Sequence, residues 1–391
     1  MKDYLFRINF LVAILVMFIA NVSNSQAEQN TQQVIAQFDE FSDYMDRITK
    51  EEMFSGVILI AKGDKVLFEN AYGMADRSKN MSSNVDTKFN LGSIAKIFTS
   101  IAIAQLVEQG KLSFDDVIKK YIDDFPDEIA NKITIHQLLT HTSGLGNIFT
   151  PAYMEQKDEV STVDEFVTFI TNQPLRFEPG TQYQYSNGGF IVLGKIIEKV
   201  SGENYFEYIR KNVLQPMGMN NTDFYNKNDN IPNLARGYVI KNAGPAQSPP
   251  PADGQPQRMR MPQSIEERKA MREDNFSTLP LIGNPSGGAY STVRDMLKLS
   301  NALTRSTILS KEYSDLIMSK KVDTPMGAYG YGLEILVENG YRMVGHSGGA
   351  PGISSMFRIL TDEDYTVVIL SNYEMVIRGL YEEIINKYIK K

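Results

Sequence analysis

Three short groups of residues in this 391-residue chain could do chemistry, and each pattern occurs once in it. The first is Ser93-Ile94-Ala95-Lys96. On a helix, residues three apart share a face, so the hydroxyl and the amine can meet. A serine hydroxyl is a weak nucleophile until a base takes its proton. A lysine can be that base only when neutral, which requires burial or a nearby positive charge. A helix start would also place the positive end of the helix dipole beside a developing oxyanion. The second group is Tyr185-Ser186-Asn187. Its tyrosine offers a proton shuttle, and its asparagine a donor and an acceptor that can orient an amide or ester. The third is His346-Ser347-Gly348-Gly349. Its imidazole could stand beside the nucleophile as a positive or hydrogen-bonding group. Its glycines let a substrate approach the backbone closely, so that a strand N–H can point at a carbonyl oxygen. Taken singly, each group also has a plainer reading: a helix N-cap, a turn asparagine beside a packed tyrosine, and a hairpin turn.

These groups need elements to hold them. The spacing predicts a helix from near Ser93 to Gln109, stopped by Gly110. Tyr185–Asn187 lie between Pro179-Gly180 and Gly188-Gly189, a tight non-helical connection ahead of a helix over Phe190–Val200. His346 ends an apolar strand. Elsewhere Val34, Phe38, Phe41, Met45 and Ile48 recur at helical spacing. Two apolar runs flank Gly63-Asp64 as a β-hairpin. Residues 112–220 read as mostly helical. Residues 240–285 contain a turn-rich stretch, Gly244 to Pro256, which reads as a solvated insertion rather than a lid. Helical spacing returns at 294–304 and 310–319. Strands are expected at Tyr331–Val337, Tyr341–His346, Ile353–Leu360 and Tyr365–Ser371, then a closing helix over about 374–390. Strands and a helix at both ends with a helical block between imply an α/β (α+β) fold. One antiparallel sheet joins the chain ends, helices flank it, and an all-helical lobe over about 112–285 is inserted.

Composition narrows the function. A net charge of −7 gives no basic footprint for nucleic acid. The absence of cysteine excludes a disulfide framework, a cysteine zinc site and a thiol nucleophile. Three histidines are too few for a His-rich metal site. At the N-terminus, Lys2 and Arg7 precede an apolar run from Phe10 to Ala20, and Ser25-Gln26-Ala27 reads as a small-x-small cleavage site. Residues 1–27 are therefore expected to be a signal peptide, because 11 apolar residues are too few to span a bilayer. The catalytic unit would be 28–391, secreted or periplasmic, with no stable membrane span after cleavage.

The order Ser93-x-x-Lys96, Tyr185-x-Asn187, His346-Ser347-Gly348 resembles the serine hydrolases of the penicillin-binding protein and class C β-lactamase superfamily. Phe89-Asn-Leu-Gly-Ser-Ile-Ala-Lys-Ile-Phe-Thr99, Leu138-Leu-Thr-His-Thr-Ser-Gly-Leu145 and Tyr185-Ser-Asn-Gly-Gly-Phe-Ile-Val-Leu-Gly194 are similar to that family too. The resemblance covers roughly 53–373. It implies a β-lactamase/transpeptidase-like fold and a Ser93 acyl-enzyme, with Lys96 and Tyr185 sharing the proton and either one as base. It further implies Asn187 as a substrate holder, and an oxyanion hole built from the N–H groups of Ser93 and Gly349, following Gly348. It implies no cofactor and no metal, and a small-molecule or peptide substrate. Peptidase (D-Ala-D-Ala-type carboxypeptidase) and esterase activity are both expected readings; a β-lactamase, or a non-catalytic binding protein on the same fold, are the alternatives. His346 stands where class C β-lactamases usually carry lysine, which lowers the expectation of strong carboxylate recognition. His141 is expected to be a satisfied structural histidine, and Ser286-Gly287-Gly288 a structural turn or pocket edge.

Overall fold

The computed structural model describes residues 38–241, 264–374 and 376–389. The expected signal segment and the Gly244–Pro256 loop lie outside the described residues. The main sheet has eight strands, numbered here in chain order: β1 (Gly56–Lys62), β2 (Lys65–Tyr72), β3 (Val322–Thr324), β4 (Gly327–Tyr329), β5 (Glu334–Glu338), β6 (Tyr341–Ala350), β7 (Ile353–Leu360) and β8 (Tyr365–Ser371). Their spatial order is β2-β1-β8-β7-β6-β5-β4-β3, and every pairing is antiparallel. The first hairpin thus pairs with the last strand, Gly56 opposite Ser371 and Ile60 opposite Val367, which joins the two ends of the chain in one sheet.

The apolar runs explain why this sheet is covered on both faces. Strand side chains alternate sides. In β1, Val57, Leu59 and Ala61 enter one core, while Ile58 and Ile60 enter another. In β8, Val368 and Leu370 join the first core, and Val367 and Ile369 the second. The second core is closed by the helix over residues 38–50, through Phe41 and Met45, and by the helix Ile377–Lys387, through Leu380 and Ile384. The first core is much larger and contains the helix Lys96–Glu108, nearly all of whose residues are buried. An apolar helix buried all round belongs in the middle of a fold. It packs against the helices Asn187–Ser201, Tyr205–Ile209 and Lys311–Met318; Val163–Thr171 packs on Asn187–Ser201, and Val293–Thr304 lies against β1 and β8. Among the described residues, no helix is long and apolar enough to cross a membrane.

Three boundaries differ from the sequence expectation, each for a local reason. The strand expected over Tyr331–Val337 is split: β4 ends at Tyr329, and β5 begins at Glu334. Gly332 has a φ of 72°, and the Gly330 N–H donates to the Leu333 carbonyl, so these residues turn instead of pairing. The strand expected to end at His346 continues to Ala350, because Gly348 and Gly349 pair with Ser355 and Ser354 of β7. The helix expected from Phe190 starts at Asn187, because the Ser186 hydroxyl accepts from the Gly189 N–H as its N-cap. Between 112 and 285 the regular structure is mainly helix joined by long irregular connections, and the block is not all-helical. The strands Tyr238–Ile240 and Arg272–Asp274 pair at its edge.

Candidate active site

Ser93 sits in a 3-10 turn, Gly92–Ala95, that leads directly into the helix Lys96–Glu108. The turn lies against β6. A Cβ on Gly348 would stand 1.9 Å from the Leu91 carbonyl oxygen, and one on Gly92 would stand 2.9 Å from the Gly349 nitrogen. Gly92 also has a φ of 52°. Side chains at either position would push the nucleophile turn off the strand. A Cβ on Gly349, by contrast, would meet nothing within 4 Å. The two glycines of the third motif therefore have different jobs. Gly348 admits the protein's own backbone, and Gly349 faces open space where a substrate can lie. The Gly349 amide is thereby brought beside the Ser93 turn, the arrangement an oxyanion hole needs. The Gly288 N–H donates to the Gly92 carbonyl at 3.1 Å and braces the turn from the far side.

Lys96 is fully buried, and its Nζ lies 3.2 Å from Ser93 Oγ and 2.7 Å from Asn187 Oδ1, with the Ser286 carbonyl as third partner. Burial drives its pKa well below the usual lysine value, and Glu334 opposes this only in part. The partner set fits the neutral form. A neutral amine has two N–H donors and one lone pair. Asn187 Oδ1 and the Ser286 carbonyl can only accept, so they take both donors. The lone pair is then left for the Ser93 hydroxyl, which can donate.

Tyr185 is half-buried with its hydroxyl out of solvent, and its ring lies 4.8 Å from Lys96 Nζ. Burial pushes its phenol far above the ordinary range, although the neighbouring Ser93 side chain favours the ionised form. Among the described residues its hydroxyl has no hydrogen-bond partner of good geometry. It is thus a protonated phenol next to the nucleophile, suited to donating. Asn187 is fixed at the start of its helix by Lys96 on Oδ1 and by Asn147, whose Oδ1 accepts from its amide at 3.1 Å.

His346 is 1% exposed and held neutral, its pKa lowered by burial to about 4. Nε2 is 2.9 Å from the Tyr329 hydroxyl and Nδ1 is 2.6 Å from the Ser347 carbonyl oxygen, so both ring nitrogens are engaged within the protein. His141 is fully buried and is bonded at both nitrogens, to the Ser186 N–H and to Tyr329. It has a φ of 58°, a left-handed conformation uncommon outside glycine. Glu334, on β5, accepts from the Ser347 hydroxyl at 2.9 Å and from the buried Arg358 guanidinium. The Arg358 charge and the Ser347 hydroxyl hold its carboxyl below the usual range against the effect of burial.

The structure thus brings together Ser93, Lys96, Tyr185, Asn187, His346, Gly348 and Gly349. It adds Asn147, the Ser286 carbonyl, Tyr329, Glu334 and Arg358, which carried no motif of their own. The nearest signal was Tyr329-Gly-Tyr-Gly332, a glycine-punctuated aromatic run whose turn was read as strand. Ser286 stood in a turn already set apart, but as a carbonyl it could not be recognised from its side chain. Among the described residues, no cluster of three His, Asp or Glu is placed to hold a metal ion.

The profile of the family described as Beta-lactamase matches residues 32–376. Over 341 residues the chain is 29% identical to penicillin-binding protein 4* of Bacillus subtilis (strain 168), covering 83% of this chain and 69% of that protein. It spans only 54% and 58% of the length of two further curated relatives. The crystal structure of a penicillin-binding protein from Bacillus halodurans superimposes with a TM-score of 0.73 at 30% identity, covering 86% of this chain and 98% of that one. D-amino acid amidase from Ochrobactrum anthropi SV3, complexed with D-phenylalanine, shares the fold with a TM-score of 0.72 at 24% identity, covering 88% of this chain and 97% of that one.

Proposed function

Because the chain belongs to the Beta-lactamase family, among the serine hydrolases of the penicillin-binding protein and β-lactamase superfamily, we propose that it hydrolyses amides or esters through a Ser93 acyl-enzyme with Lys96 as base. The observation that carries this reading is the buried Lys96 amine 3.2 Å from Ser93 Oγ, with its other two partners able only to accept. Lys96 takes the Ser93 proton as Oγ attacks the carbonyl carbon. The oxyanion is received by the N–H groups of Ser93 and Gly349, each such donor worth on the order of 10²–10³ in rate. When the tetrahedral intermediate collapses, the protonated phenol of Tyr185 gives its proton to the leaving group and recovers one from Lys96. Water then attacks the acyl-enzyme with the same groups in reverse. Asn187 holds the substrate's carbonyl or side-chain amide.

The charges around Ser93 support a substrate without a carboxylate next to the scissile bond. Glu334 is a carboxylate whose field acts on Lys96, Tyr183, Tyr185, Tyr329 and His346. The third motif presents a neutral imidazole with both nitrogens occupied, and Arg358 is committed to Glu334. Neutral esters and amino acid amides, whose ammonium group suits this field, are the preferred acyl donors in this reading. The D-amino acid amidase in the fold comparison is in keeping with it. C-terminal D-Ala-D-Ala peptides and β-lactams carry a carboxylate on the leaving side and are slower. Wild-type kcat/KM for an amino acid p-nitroanilide should exceed that for the matching dipeptide with a free carboxylate. Glu334→Gln should narrow that ratio by about 5–10-fold, the loss of roughly 1 kcal/mol of screened repulsion. A wild type that favours the free-carboxylate dipeptide, or rapid nitrocefin turnover, would turn the reading toward a carboxypeptidase or a β-lactamase.

Export belongs to the same proposal. It rests on the basic, apolar and small-residue pattern of residues 1–27. Full-length expression with N-terminal sequencing of the exported product should find Glu28 first; retention of Met1 on the mature enzyme would contradict it.

A further inference from the structure

We infer that Tyr329 is a positioning residue that fixes the proton on each of two buried imidazoles, through a one-way hydrogen-bond chain from the Ser186 N–H to the Ser347 carbonyl. The contacts run in order. The Ser186 N–H is 3.1 Å from His141 Nδ1, His141 Nε2 is 3.1 Å from the Tyr329 hydroxyl, that hydroxyl is 2.9 Å from His346 Nε2, and His346 Nδ1 is 2.6 Å from the Ser347 carbonyl. The two ends determine the rest. A backbone N–H can only donate, so His141 Nδ1 accepts. A carbonyl can only accept, so His346 Nδ1 carries a proton. Each neutral imidazole has one donor and one acceptor nitrogen. His141 Nε2–H therefore donates to the Tyr329 oxygen, and the Tyr329 O–H donates to His346 Nε2. The two histidines hold opposite tautomers, and among the described residues Tyr329 is the only group that touches both chain-facing nitrogens.

The chain connects what the reaction must keep in register. Ser186 lies between Tyr185 and Asn187, and the His141 ring packs on the Tyr185 ring with centroids 4.2 Å apart. Ser347 precedes the Gly348-Gly349 stretch against which the nucleophile turn rests. Tyr329 thus ties the Tyr185 side of the site to the strand that supplies the Gly349 amide. His141, Tyr329 and His346 are each no more than 1% exposed, so water is poorly placed to replace a lost bond.

The test uses the whole chain with 15N-labelled histidine. Only three histidines occur in it, so long-range 1H–15N correlations assign directly. Wild type at pH 7 should show His346 as the Nδ1–H tautomer and His141 as the Nε2–H tautomer. Tyr329→Phe keeps the ring and removes the hydroxyl. It should lose the fixed tautomer of at least one of the two histidines and lower kcat by on the order of 10–100-fold, with KM changed far less. An Nε2–H His346, an Nδ1–H His141 or an imidazolium at either position in wild type would overturn the inference. So would a folded Tyr329→Phe protein with wild-type kcat. If that variant does not fold, the wild-type spectrum decides alone. The kinetic arm rests on the proposed hydrolase reading and the spectra do not, so a wrong substrate class leaves the proton order testable.

Discussion

Ser93→Ala is expected to lower kcat for a neutral p-nitrophenyl ester by about 10⁴–10⁶-fold while leaving the fold intact. The substitution deletes the one atom that becomes covalently bonded to the substrate. What survives is the oxyanion site and substrate binding, which alone retain modest catalysis over water. The structural cost is small. Lys96 keeps Asn187 Oδ1 and the Ser286 carbonyl, and alanine suits the 3-10 turn that Gly92 and Gly348 hold against the strand. Steady-state hydrolysis of the acetate and butyrate esters, with a circular dichroism melt as control, reads both effects. Equal rates for wild type and variant would remove Ser93 as nucleophile.

Lys96→Met should cost about 10³–10⁴ in kcat, the contribution of a positioned base. It should also remove the acid limb of the pH profile. The sign follows from which form works. A base acts when neutral, so kcat/KM rises as pH passes its pKa. Burial pushes Lys96 well below the usual lysine value, and the rise should accordingly finish well under pH 10. The same burial pushes Tyr185 upward, so a phenolate base would place the rise above the ordinary tyrosine range. The position of the limb therefore assigns the base, a choice the motifs left open. A limb that stays in place in Lys96→Met, or one lying above pH 10 in wild type, would move the role to Tyr185. Methionine fills the volume of the lysine stem but leaves two buried acceptors without a donor, so a moderate loss of stability accompanies the kinetic loss.

The motifs were legible because each carries its chemistry in side chains at fixed spacing. Ser93 and Lys96 meet over one turn, and Tyr185 and Asn187 flank a cap residue whose hydroxyl starts the next helix. The sheet was legible for a similar reason. The apolar runs of β1 and β8 serve a core on each face, so they stand out as strands without polar alternation. What stayed hidden were contacts between distant segments that no local pattern encodes. Tyr329 meets His141 188 positions away and His346 17 away, and it stands two residues ahead of the strand expected from Tyr331, where no pattern marked it. The Ser286 carbonyl, the third partner of Lys96, is a backbone atom that any residue could supply. Gly348 was correctly marked as a close approach, but the approaching group is the Leu91 carbonyl rather than a substrate. A sequence gives the need for space and not the identity of what fills it.

The covalent acyl-enzyme on Ser93 is tested most directly by mixing the protein with a fluorophosphonate or a slowly released acyl ester, quenching in acid, and measuring intact mass followed by peptide mapping. One adduct per chain is expected, located on Ser93, absent from Ser93→Ala and formed far more slowly in Lys96→Met. A substrate that turns over with Ser93 unmodified, or an adduct mapped to another residue, would contradict it.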